Sequence, residues 1–93
     1  MDLDLVSKAL VSMIIEKNLR RIGKPIYEKV VSRLNERYDC YLPDCYEHPE
    51  YLSEVLKEVF GNSHDVVVQD IRKELKEFSN KKQIKIFLEV INQ

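Results

Sequence analysis

Near the middle of this 93-residue sequence stand Cys40, Cys45 and His48, with a second histidine further on at His64. Two thiolates and two imidazoles would suffice for a tetrahedral zinc site. Against that reading, Cys40 and Cys45 are more widely spaced than the cysteines of a zinc knuckle, and Pro49 holds His48 at a helix start, limiting its reach. The plain alternative is two small, partly buried thiols, a helix-start histidine and a loop histidine. A local Cys40–Cys45 disulfide is a further alternative, of the kind found inside hyperthermophile cells. Nucleophilic use of either thiol needs a lowered pKa and a facing base. The neighbours Asp39, Asp44 and Glu47 push the other way, since negative charge disfavours a thiolate. The two glycines, Gly23 and Gly61, each follow a helical pattern, so no glycine-rich phosphate loop is present. The expectation is a protein with no catalytic residues, metal or cofactor, and not an enzyme.

Four of the five tyrosines, Tyr38, Tyr41, Tyr46 and Tyr51, fall in one short stretch together with Asp39, Asp44, Glu47 and Glu50, and no Lys or Arg interrupts them. Tyrosine offers a large, stiff, amphipathic contact area, and it is enriched at interaction hot spots. Acidic flanks would select a basic partner. Tyr41, Asp44, Tyr46 and Glu47 are therefore the candidate partner-binding residues. The alternative is that Tyr38 and Tyr51 close the core while the other two cover it.

The elements that must position this stretch read as helices. Residues 3–22 carry apolar side chains at Leu3, Val6, Leu10, Met13 and Ile14, with a second stripe through Val11, Ile15, Leu19 and Ile22. Asp2 or Asp4 can cap this helix and Gly23 can close it in the left-handed conformation. One stripe suffices for a surface helix, so this one is either central or covered by another subunit. Pro25 suits a helix start, and Ile26, Val30, Leu34 and Tyr38 step at helical spacing. Periodicity fails over residues 39–48. Pro49 then opens a third helix whose buried face is Tyr51, Leu52, Val55, Leu56, Val59 and Phe60, ended by Gly61. Asn62 or Ser63 caps a fourth, reaching Ser79 through Val67, Val68, Ile71, Leu75 and Phe78. Asn80 and Gln83 resemble a capping pair ahead of a last helix with Ile84, Phe87, Leu88 and Ile91. The alternation of Ile84, Ile86 and Leu88 also fits a strand, but no second strand is there to pair with it. The fold class expected is all-α, an irregular or orthogonal bundle of about five helices in a single domain over residues 1–93.

Composition narrows function. A net charge of −1 argues against binding nucleic acid by bulk electrostatics, and no apolar run reaches the roughly 18 residues of a membrane span. The acidic start differs from the basic start of a signal peptide, so a cytoplasmic location is expected. Basic residues gather at Arg72, Lys73, Lys76, Lys81, Lys82 and Lys85, interrupted by Glu74 and Glu77. A solvated face explains them; a small nucleic-acid-associated regulator using these C-terminal helices is the alternative.

The run from Pro25-Ile26-Tyr27 to Arg37-Tyr38, then Pro49-Glu50-Tyr51-Leu52 to Val59-Phe60-Gly61, then residues 66–75, resembles a small archaeal output-domain family first named from Nitrosopumilus signalling proteins. The resemblance covers about residues 19–78; Cys40 and Cys45 lie outside its pattern. It implies an all-helical signalling output or interaction module without a catalytic residue set. The function expected is thus a non-enzymatic protein-interaction module with a protein partner of unknown identity. Self-association as a homodimer would run along the Leu5, Ala9, Ser12 and Glu16 side of the first helix.

Overall fold

Proline and glycine divide the chain into its helices. The computed structural model describes residues 3–76 and 82–91. These form α1 (Leu3–Ile22), α2 (Lys24–Tyr38), α3 (Pro49–Phe60), α4 (His64–Leu75) and α5 (Lys82–Ile91), with short 3-10 helices at Leu42–Tyr46 and Gly61–Ser63. The described residues contain no strand, so the all-α class holds and the ambiguous last segment is a helix. The capping expected of Asp2 or Asp4, the stretch through Phe78 to Ser79, and the Asn80–Gln83 pair lie outside the described residues and side chains.

The core is a single cluster. Val11, Ile15 and Leu19 enter it from α1, Val30 and Leu34 from α2, and Leu52, Val55 and Leu56 from α3. Ile71 and Leu75 come from α4, and Ile84, Phe87 and Ile91 from α5. Each such side chain contributes roughly 1.5–3 kcal/mol when removed from water. Helix α1 packs on α2, α4 and the first 3-10 helix, while α3 packs on α2 and α5.

Two local expectations are corrected. Gly23 is extended (φ 161°, ψ 143°) and serves as the N-cap of α2; it does not close α1 in the left-handed conformation. The left-handed residue before the irregular stretch is Asp39 (φ 51°), which ends α2. Its N–H donates to the Asn35 carbonyl at 3.0 Å, the single bond of an αL helix ending, and the Cys40 N–H reaches the Leu34 carbonyl at 3.5 Å. At α4 neither Asn62 nor Ser63 makes a side-chain capping bond, because both belong to the Gly61–Ser63 3-10 turn and Ser63 is helical (φ −86°, ψ −2°) where a capping residue is extended.

The two stripes of α1 divide between core and surface. Among Val6, Leu10, Met13 and Ile14 of the first stripe, Ile14 is buried, Leu10 is half-buried, and Val6 and Met13 face solvent. The other stripe, Val11, Ile15 and Leu19, makes the core, although Ile22 at its end is exposed. Ser7 and Asn18 share this inner face. Asn18 is accommodated because its side-chain amide donates to the Ile14 carbonyl one turn earlier, at 2.9 Å. Polar residues on the buried face are what made the two stripes hard to rank.

Candidate interaction surface

The stretch between α2 and α3 is built around Asp44. Its carboxylate accepts the Tyr41 N–H at 2.9 Å, while its own N–H donates to the Tyr41 carbonyl at 3.0 Å. This reciprocal pair caps the 3-10 helix, and Pro43 sits where a missing N–H costs nothing. Leu42 and Cys45 point inward and are buried. From α1, the Lys8 ammonium lies 2.9 Å from Glu47 Oε1 and 4.0 Å from Asp44 Oδ1. Hydrogen bonding to Glu47 raises the Lys8 pKa; desolvation opposes this, and the fields of Glu47 and Asp44 add to it.

The four candidate partner-binding residues are thus placed differently. Tyr41 is 64% exposed, whereas Tyr46 packs against the core. Asp44 is a cap, and Glu47 holds Lys8. Tyr38 and Tyr51 stack with ring centroids 4.1 Å apart, and His48 lies on the other side of Tyr51 at 4.6 Å. The Arg37 guanidinium sits over Tyr38 at 5.6 Å. This ring stack ties the end of α2 to the start of α3 and fixes the angle at which the 3-10 corner projects.

Cys40 and Cys45 are both free and buried. Burial raises both thiol pKa values, and Asp44 adds to the effect; for Cys45 the proximity of Cys40 adds as well. Their mutual contact lowers the Cys40 value only in part. Neutral thiols are poor metal ligands and poor nucleophiles. Among the described residues no group of three His, Cys, Asp or Glu side chains is arranged to hold a metal ion, so Cys40, Cys45 and His48 are not brought together. His64 instead contacts the Gly61 carbonyl through Nδ1 at 3.0 Å.

A shallow groove of about 810 Å³ runs along the outer face of α1. Leu5, Ala9 and Met13 step along it at intervals of four residues, Ser12 and Glu16 flank them, and Pro43 forms the far wall. Leu5 and Met13 are each 63% exposed and Val6 is 45% exposed. The Leu5, Ala9, Ser12 and Glu16 side singled out from sequence is therefore a real surface, opposite the face that enters the core. Sequence reasoning did not anticipate Pro43 beside it, because only the packing of the 3-10 corner on α1 brings it there. No described helix is long and apolar enough to cross a membrane. Comparison with protein-family models, with curated proteins and with solved structures finds nothing that matches this chain.

Proposed function

We propose that this protein is a non-enzymatic interaction module that pairs with a second copy of itself across the outer face of α1. The observation that carries this reading is the continuous apolar strip of Leu5, Val6, Ala9 and Met13 on a helix whose opposite face already fills the core. The charges that border the strip are matched within the chain, Lys8 with Glu47, Lys17 with Glu74 and Arg20 with Glu16, so they leave the apolar strip free of unpaired charge. A two-fold axis across α1 would lay the strip on its own copy, and the small side chains of Ala9 and Ser12 allow close approach at the crossing. Tyr41, next to Pro43, extends the same corner and is the tyrosine such a surface would use. The resemblance to an output-domain family supports docking over catalysis, and the unbridged thiols suit a reducing cytoplasm.

Light scattering over a concentration series tests the reading. The expected result is a monomer–dimer equilibrium that Met13→Glu shifts to monomer while the melting temperature stays within a few degrees, since an exposed site away from the core changes stability by about 0.5 kcal/mol or less. A monomer at all concentrations, for the unaltered chain, would sink it.

A further inference from the structure

Most cations among the described residues are matched to carboxylates. Lys8 meets Glu47, Lys17 and Arg21 meet Glu74, Arg20 meets Glu16, Arg33 and Arg37 meet Glu58, and Lys57 meets Glu54. Lys24 and Lys29 stand without a partner among the described residues, but neither lines the α1 groove, the α4–α5 cleft or the cavity beside Tyr46. Four other unmatched cations share a cleft of about 580 Å³ between α4 and α5. Arg72, Lys73 and Lys76 line it from α4 and Lys85 from α5, and no described carboxylate pairs with any of the four. Glu89 is the one acidic residue in the lining. Glu74, which interrupts the basic row in sequence, is turned to the other side of α4, where it holds Lys17 and Arg21.

The helix dipole accounts for only part of this cluster. Arg72 and Lys73 lie in the last turn of α4 and Lys76 is its C-cap, all at the end where positive charge is favoured. Lys76 follows at three and four residues from them, a spacing at which like charges repel. Lys85 is in the opening turns of α5, a helix with no acidic residue in its first turn. There the dipole is already positive, so Lys85 adds to the field. Among the described residues the two helices thus bring four cations and one carboxylate, Glu89, to one concave space, a net positive potential that favours a bound anion.

We infer that the α4–α5 cleft binds a compact oligophosphate-bearing small molecule. The cleft volume is in the range of small-molecule sites. Arg72 offers a fork for one phosphate, and Lys73, Lys76 and Lys85 offer point charges for the others. The Gln69 amide adds a neutral donor, and Leu88 supplies an apolar contact. A long nucleic acid fits less well, because Arg72 to Lys76 spans only about 6 Å of helix and the molecule as a whole carries a charge of −1. The site is separate from the α1 face and does not depend on self-association.

Calorimetric titration of the full chain with inorganic tripolyphosphate in about 50 mM salt, where phosphate contacts are strongest, is the test. The expected result is saturable binding of one ligand per chain, weakened roughly tenfold or more by the double substitution Lys73→Glu, Lys76→Glu. Lys85→Gln, on the other helix, should weaken it as well, and keeps the test valid should the double variant unfold. The pair Lys24→Glu, Lys29→Glu makes the same change in net charge away from the cleft and should leave binding within about twofold. A parallel titration with ATP separates sources: equal affinity assigns the oligophosphate alone, and tighter affinity assigns a nucleotide. Absence of saturable binding, equal loss in the control pair, or tighter binding of a duplex DNA than of either small ligand would overturn the proposal.

Discussion

The Cys45 thiol has no exposed surface, and burial comes first among the causes that push its pKa far above the ordinary thiol value, followed by Cys40 and Asp44. The folded chain therefore keeps this proton longer than the unfolded chain does. Below the unfolded pKa of about 8.5 both states are protonated and stability is full. As pH rises past that value the unfolded state deprotonates first, and stability falls until the folded pKa is passed. Urea denaturation between about pH 8 and pH 10.5 should show this loss, at most about 1.4 kcal/mol per pH unit for one thiol. Cys45→Ala should be less stable at neutral pH through lost packing, yet fall less steeply with pH. Equal slopes in the two proteins would remove Cys45 as the cause. The sequence allows the direction of this shift to be read from Asp39, Asp44 and Glu47. The larger cause, burial, comes from the 3-10 turn that points Cys45 inward, and nothing in the local residue types announces it.

Gly23 and Gly61 look alike in sequence, each closing a helical pattern, but they do different work at the scale of the elements. Gly61 has φ 57° and ψ −126°, and a β-carbon placed there meets no atom within 4 Å. Gly61→Ala should nevertheless cost about 1–3 kcal/mol, because the backbone conformation and not the space excludes a side chain. Gly23 is extended, and its nearest neighbour would be Pro25 Cδ at 3.8 Å. Gly23→Ala should change stability by about 0.5 kcal/mol or less. Thermal melts of the two variants side by side check the contrast, and similar losses would refute it. Helix positions were legible because Pro25, Pro49 and Gly61 interrupt a clear period. Which ends turn left-handed was not, since Asp39 takes that role at the end of α2 through a bond pattern that depends on Leu34 and Asn35 being helical already.

At the scale of the molecule, α5 closes the core over α3 with Ile84, Phe87, Leu88 and Ile91. Domains of this size are stable by only about 5–15 kcal/mol, and these four side chains contribute a large part of that. A chain ending at residue 81 should lose its cooperative thermal transition, and Phe87→Ala should cost about 3–5 kcal/mol. A cooperative melt of the shortened chain near that of the full one would show that the core closes without α5. The shortened chain would also lack Lys85, so the cleft between α4 and α5 depends on the same packing that completes the fold.

The sequence by itself determined the all-α class, the helix starts at prolines and the end of α3 at Gly61, because backbone geometry and apolar periodicity are local properties. It also marked α1 as too apolar for a surface helix and the tyrosine-rich acidic stretch as unlike the rest. Only the tertiary structure decided how those features divide. Val11, Ile15 and Leu19 fill the core and leave Leu5, Val6 and Met13 outside, because helices α2 and α4 cover one side of α1. Tyr38 and Tyr51 stack with His48, Tyr46 packs inward and Tyr41 alone of the four is exposed, because the 3-10 turn sends neighbouring residues in different directions. The basic residues of α4 and α5 read as a solvated face in one dimension. In three dimensions Glu74 turns to α1 and the cations it separated in sequence meet across one cleft.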